Sequence, residues 1–303
     1  MQGSLSVNDI DCRPVIFGEV LYDCFPDGEA VLGGAPFNVA WHLQGLGLSP
    51  LFISRVGDDP LGHRVRDIME RRGMDTSGLQ LDSAHPTGKV NISLSGSSHS
   101  FDIIPDQAYD YIAEDALPPL PDYALFDHGS LAARCPVSAR TLSVLCSQFG
   151  DNRLVDVNLR EPWWQRDSVR ALLDGARLAK LNDEELLLLA SAASDDKARM
   201  RQLIDTAGLQ LLVVTRGASG AELMTGTGEV YRVAPETLTH VVDTVGAGDA
   251  LTSVLMLGLL HGWSYPVMLE RAQAFASAIV GHRGATVEAA GFYRPYREAW
   301  SLP

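Results

Sequence analysis

Short, mostly apolar runs recur along this chain, and stretches with helical periodicity separate many of them. Val15–Leu21, Leu51–Val56, Ala124–Asp127, Leu154–Val157, Leu178–Leu181 and Leu211–Thr215 have the length and composition of buried strands. Between them Leu61, Val65, Ile68 and Met69 fall on one helical face. So do Ala250, Leu251, Val254, Leu255 and Gly258, and again Ala272, Phe275, Ala276, Ile279 and Val280. Strands buried on both faces and joined by amphipathic helices predict a mostly parallel sheet with helices packed on each side. At 303 residues one large core is feasible, and no repeat, low-complexity tract or composition break divides the chain. A single domain over residues 1–303 is expected.

Two regions depart from this rhythm. Lys89–Ser95 alternates strictly, with Val90, Ile92 and Leu94 on one side; Ser95-Gly96-Ser97 offers a turn, and Phe101 and Ile103 continue the alternation. That pattern predicts a two-faced hairpin. With the segment around Asp23–Leu32 it would build a small sheet projecting from the main body. Lys89, Asn91, Phe101 and Asp102 are its candidate ligand-facing side chains.

Charge and cysteine usage narrow the partners. Against 38 Asp and Glu stand only 24 Lys and Arg, a net charge of −14, with no basic stripe for a nucleic acid. Cys12, Cys24, Cys135 and Cys146 show no metal-ligand spacing, so reduced thiols in a cytoplasmic chain are expected. Residues 1–13 lack a basic start followed by an apolar run, which predicts no secretory leader. The longest apolar stretch, Leu251–Leu260, is too short for a membrane span.

The chemistry concentrates in Val242–Ala250, directly before a helical pattern. Gly246 and Gly248 let the backbone turn and an anion approach, and the first amides of the helix have no intrahelical partner. Asp249 would sit in the first turn, where an acid suits a base that deprotonates a hydroxyl while amides hold a phosphoryl group. A tight turn followed by an N-terminal helix acid describes the same residues. Leu251 stands where a dinucleotide fingerprint needs a small residue, and no P-loop motif is present. Gly33-Gly34-Ala35-Pro36-Phe37-Asn38 opens another helix, with Asn38 able to donate to and accept from hydroxyls, or simply to pack. Glu19 and Asp23 leave the first strand; each suits a sugar hydroxyl or solvent. Asp156, Asn158 and Arg160 would share one face by period two. Thr215-Arg216-Gly217-Ala218-Ser219-Gly220 leaves a further strand and suits a nucleotide phosphate. Asn182 followed by Asp183, Glu184 and Glu185 reads equally as a capped helix start. Trp163 and Trp164 would cover a ligand or pack at a rim.

Together these residues resemble the ribokinase-like (PfkB) sugar kinases, and among them the bacterial fructokinases. Gly33, Gly34, Asn38, Ala40, Gly47 and Gly57 match the N-terminal signature; Asp243, Thr244, Gly246, Ala247, Gly248 and Asp249 match the C-terminal one. The likeness spans residues 14–290, with the two signatures in the right order. It implies a ribokinase-like three-layer α/β/α sandwich with a mostly parallel central sheet and a small β-sheet lid, built within about 19–32 and 86–105. It implies Asp249 as catalytic base and the amides of Gly246, Ala247 and Gly248 as an anion hole. Asp23, Gly33, Gly34, Asn38 and Arg160 would contact the sugar. Asn182, Glu185, Thr215, Gly217, Gly220 and Gln273 would serve the nucleotide, Gln273 standing where ribokinases tend to carry an adenine-contacting Asn. Glu185 would serve Mg²⁺ through water, and Asp243 and Gly284 a monovalent cation such as K⁺. Val254 departs from the signature, which usually has Ala or Gly there.

The implied activity is transfer of the γ-phosphoryl group of ATP to a primary hydroxyl of a ketose, fructose first, with 2-keto-3-deoxygluconate as the nearest alternative. The partners implied are a small sugar and ATP, not a nucleic acid or a membrane, with a homodimer through the lid as in some relatives. A non-catalytic sugar or nucleotide sensor on the same scaffold is the contrasting class; a broken base or blocked cradle would mark it.

Overall fold

The computed structural model describes residues 12–95, 98–235 and 241–303. Residues 1–11, which carry most of the leader expectation, and Gly96-Ser97 of the expected turn lie outside the described residues, as do the side chains of Leu94 and Phe101. In chain order the strands are β1 (Arg13–Phe17), β2 (Leu21–Cys24), β3 (Ala30–Gly33), β4 (Leu51–Gly57), β5 (Leu79–Asp82), β6 (Gly88–Ser95), β7 (Ser98–Ile103), β8 (Ala124–His128), β9 (Arg153–Asp156), β10 (Leu178–Asn182), β11 (Leu211–Thr215), β12 (Ala221–Thr225) and β13 (Val230–Val233). The α-helices are α1 (Ala35–Gly45), α2 (Pro60–Arg71), α3 (Pro136–Phe149), α4 (Arg166–Leu173), α5 (Asp183–Leu189), α6 (Asp196–Ala207), α7 (Ala247–Leu260), α8 (Tyr265–Val280) and α9 (Ala290–Trp300).

Among the described residues, nine strands form one sheet in the order β13-β12-β11-β10-β9-β8-β1-β4-β5. From β11 to β5 every pairing is parallel; β12 and β13 are added antiparallel. Period two divides each strand between two helical layers. Leu211 and Val213 point into a core with α1, α7 and α8, while Leu212 and Val214 point into one with α4, α5 and α6. Val15, Phe17, Leu51 and Ile53 meet α3 on that second side. All these strand side chains are buried, and each contributes roughly 1.5–3 kcal/mol relative to exposure. This is the expected three-layer α/β/α sandwich. Val254, the departure from the signature, fills the α1–α7–α8 core and is fully buried.

The run Val15–Leu21 is not one strand. It breaks at Gly18, whose φ of +152° turns the chain tightly against Pro36. Residues before the break join the large sheet, and Leu21–Cys24 joins a second one. That small sheet has the order β3-β2-β6-β7, with β6 and β7 as the expected hairpin. Val90 and Ile92 are buried while Asn91 and Ser93 are exposed, as the alternation requires. Cys24, Cys135 and Cys146 are free thiols. Among the described residues no helix is long and apolar enough to cross a membrane.

Candidate active site

The carboxyl ends of β1, β8, β9, β10 and β11 open on one edge of the sheet, where ligands of open α/β sheets bind. The N-termini of α1 and α7 converge there. Gly246 is the N-cap of α7, in left-handed backbone (φ +79°), and a Cβ on it would lie 2.4 Å from Ala285. No side chain caps this helix, and Ala247 N makes only a long bond to Thr244 O, 3.4 Å, at an N-terminus that favours an anion. Asp249 occupies the first turn and directs its carboxylate sideways: Asn38 Nδ2, on α1, donates to Asp249 Oδ2 at 2.7 Å across 211 residues of sequence. Asn38 is buried and its Oδ1 has no partner.

Acids crowd this floor. Burial pushes Asp249 up to about 6, with the nearby Asp156 carboxylate adding to the rise; Lys180, the Asn38 hydrogen bond and Arg160 oppose it. Burial likewise raises Glu19 to about 7 and Asp23 to about 6. Asp127, at the end of β8, is held well above the usual carboxylate range, first by burial and then by Asp156. Glu19 Oε2 and Asp127 Oδ1 are both buried without a hydrogen-bond partner. These two side chains, with Asp156 and Asn158, line a cavity of about 10 Å³, room for one water. Sequence reading did not single out Asp127 or Lys180. Each lies inside an apolar strand pattern, and a lone polar residue at such a position is the signal that was available.

The profile of the pfkB family carbohydrate kinases matches residues 8–290. This chain belongs to that family. It is 32% identical to a fructokinase of Klebsiella pneumoniae over 82% of this chain and 84% of that one. It is 30% identical to an aminoimidazole riboside kinase of Salmonella typhimurium, over 89% of each chain. A fructokinase from Xylella fastidiosa solved with bound ATP superposes with a TM-score of 0.83 at 24% identity, covering 95% of this chain and 99% of that one. An aminoimidazole riboside kinase from Salmonella enterica, solved with its riboside and an ATP analogue, gives 0.81 at 24%, covering 94% and 99%. The protein is therefore a phosphotransferase with an alcohol acceptor, a sugar kinase on the ribokinase-like fold.

Other expected residues of this pfkB kinase fall as follows. Asp23 lies on β2 of the small sheet, and Gly33 ends β3 facing it: a Cβ there would stand 3.6 Å from Asp23 Oδ2. Gly34 is the N-cap of α1. Arg160 is exposed, and its charge reaches Glu19, Asp23 and Asp249. Of the three residues expected to share one face, Asp156 and Asn158 line the same cavity and Arg160 lies exposed beyond them, while Val157 and Leu159 pack together on the other side. β9 itself ends at Asp156, and Asn158 adopts φ +40°. Asp156 turns inward and pairs with Lys180 at 2.9 Å.

Asn182 and Glu185 cap one another: Asn182 Oδ1 accepts from Glu185 N, and Glu185 Oε2 accepts from Asn182 N, both at 2.8 Å. Glu185 Oε1 accepts from Leu159 N at 2.7 Å. The capped-helix reading of this run is thus realised. Thr215 ends β11, and Gly217 and Gly220, both at positive φ, shape the turn after it. Gln273, on α8, donates to Ser277 at 3.2 Å. Asp243 accepts from Val245 N and Gly284 N, both at 3.0 Å, closing the loop ahead of Gly246. Trp163 stacks on Arg134, and Trp164 donates to Glu161, so both act as packing residues here. Among the described residues no three His, Cys, Asp or Glu side chains are grouped to hold a metal ion.

Proposed function

We propose that this kinase transfers the γ-phosphoryl group of ATP to a primary hydroxyl of a ketose, fructose giving fructose 6-phosphate. The observation that carries the reading is the Asn38–Asp249 hydrogen bond. It joins a helix start suited to sugar hydroxyls to one suited to a phosphoryl anion. In this reading the chain is one ribokinase-like domain and the small sheet is its lid, excluding water over the acceptor. Asp23, Gly33, Gly34, Asn38 and Arg160 hold the sugar. Asp249 takes the hydroxyl proton as the alcohol oxygen attacks the γ-phosphorus in line and ADP leaves. With a pKa near 6 it is ionised at neutral pH and still basic enough to accept that proton. The amides of Gly246, Ala247 and Gly248 meet the charge on the migrating group.

Thr215, Gly217, Gly220 and Gln273 serve the nucleotide, with Asn182 near its phosphates. Each oxygen of Glu185 already accepts one backbone N–H and keeps a lone pair, which fits a carboxylate that accepts from a metal-bound water. Bound Mg²⁺ would neutralise phosphate charge. Asp243 and Gly284, bonded to each other, edge the loop suited to a monovalent cation such as K⁺. A cytoplasmic setting suits the reduced Cys24, Cys135 and Cys146. The edge strands β3 and β7 leave backbone groups through which two lids would pair into a homodimer.

The relatives named fructokinase support the choice of sugar. Aminoimidazole riboside is a second reading, supported by the relative of that name at 30% identity. 2-Keto-3-deoxygluconate is ranked third, since the relatives that support the reading are named for fructose and for aminoimidazole riboside. A coupled ADP-release assay with these three acceptors tests the ranking. A kcat/KM for fructose at least about tenfold above the others supports it. Sugar binding without ADP release would reassign the protein as a sensor.

A further inference from the structure

Beneath the first turn of α7 lies an ion pair that the transfer reading leaves unused. Lys180 on β10 and Asp156 at the end of β9 are register neighbours, and both are buried. Lys180 Nζ donates to the two Asp156 oxygens at 2.9 and 3.0 Å. Thr252 Oγ1, within α7, donates to the same carboxylate at 2.9 Å. Asp156 therefore ties β9, β10 and α7 together. A purely structural pair would need nothing more. Yet the ammonium stands directly under the glycine cradle: a Cβ built on Gly248 would lie 2.8 Å from Nζ. An ammonium has three N–H donors, and the two bonds to Asp156 leave one.

The charges around Asp249 show what this position accomplishes. Facing it are Asp156 from β9, Lys180 from β10, Asn38 from α1, Arg160 beyond β9, and Glu19 and Asp127 at the ends of β1 and β8. Three of these groups are carboxyls and two are cations. Arg160 is exposed and screened by solvent, whereas Lys180 is buried and acts at low dielectric. Lys180 also faces Glu185.

We propose that Lys180 is a positioning residue for phosphoryl transfer: held by Asp156, its ammonium keeps Asp249 ionised and adds fixed positive charge under the amides of Gly246–Gly248. This rests on the kinase reading above. The alternative is a self-neutralising strut that only stabilises the fold.

Lys180→Met and the double variant Lys180→Met/Asp156→Asn separate the two. The readouts are kcat against pH by ADP release, ATP binding by titration calorimetry, and thermal melting. Lys180→Met is expected to lower kcat about tenfold or more with ATP affinity held within about threefold. Its acidic limb should move up by about one pH unit, since a charge favouring the Asp249 carboxylate is gone. If Lys180→Met does not fold, the double variant carries the test, because it leaves no buried unpaired charge. Its limb should return towards wild type, as a raising and a lowering charge go together, while kcat stays about tenfold down. Wild-type kcat in the folded double variant, or an unshifted limb with normal kcat in a folded Lys180→Met, overturns the proposal alone. A wild-type protein that phosphorylates no acceptor overturns the kinase reading with it.

Discussion

Two helix starts in this molecule read alike in sequence and differ in structure. α5 and α7 both begin beside the cleft with acids in the first turn. At α5 the acid is spent on its own helix: Asn182 and Glu185 satisfy each other's backbone N–H groups, and Glu185 also fastens Leu159. At α7 the N-cap is a glycine without a side chain, and Asp249 reaches across to Asn38. At α7 no side chain takes an amide hydrogen, as Asn182 does at α5. An acid near a helix start thus braces its own helix or reaches a distant partner according to which groups take the amide hydrogens.

The sharpest way to break this contrast is Asp249→Asn. Loss of a general base should lower kcat by roughly 10²–10⁴-fold while calorimetry finds ATP binding intact. Near-normal turnover would reduce Asp249 to the same helix acid as Glu185.

Asn38→Ala comes next. It removes a hydrogen bond to a charged group, worth roughly 1.5–3 kcal/mol, so kcat/KM for the acceptor should fall about 10–100-fold. In the wild type, kcat should fall as pH drops through about 6, where Asp249 takes up a proton. Because the Asn38 bond lowers that pKa, the limb should move to higher pH in the variant. An unmoved limb would mean that another group sets it.

At α5 the expected effect is on stability. Asn182→Ala removes a cap, at a cost of roughly 0.5–2 kcal/mol, read as a lower melting temperature. If melting were unchanged and KM for ATP rose more than about tenfold, Asn182 would belong to the nucleotide site and the contrast would narrow.

Smallest is a linkage effect at Glu19. Its pKa in the folded protein, about 7, lies above the ordinary 4.5, so the native state binds the proton more tightly than the unfolded chain. Stability contributed by this group is present below about pH 4.5 and is lost as pH rises through 7. Glu19→Gln should therefore melt higher than wild type at about pH 8 and match it at about pH 4.5. Equal melting curves at both pH values would show that Glu19 is not held protonated.

Much of this site was legible in the linear chain, and particular residues show why. Gly246, Gly248 and Asp249 follow one another, so their cradle is a local feature that short-range rules describe. The same holds for the hairpin of β6 and β7. Asp127 and Lys180 were missed because each sits in a strand whose pattern reports burial, and burial of an acid or a lysine acquires meaning only from its neighbours. Asp156 was read as sharing one face with Asn158 and Arg160, and its buried pairing with Lys180 was not foreseen. Period two gives the side a residue takes but not the partner it finds there, since Lys180 belongs to another strand.

By itself the sequence determined the layered fold, because apolar periodicity and glycine positions act over a few residues at a time. It also determined which segments reach the carboxyl edge of the sheet, since each follows its own strand. Only the tertiary structure decided which carboxylate braces its own helix and which turns to a distant partner. That choice depends on partners far apart in the chain, Asn38 for Asp249 and Leu159 for Glu185, and on how deeply packing withdraws each acid from water.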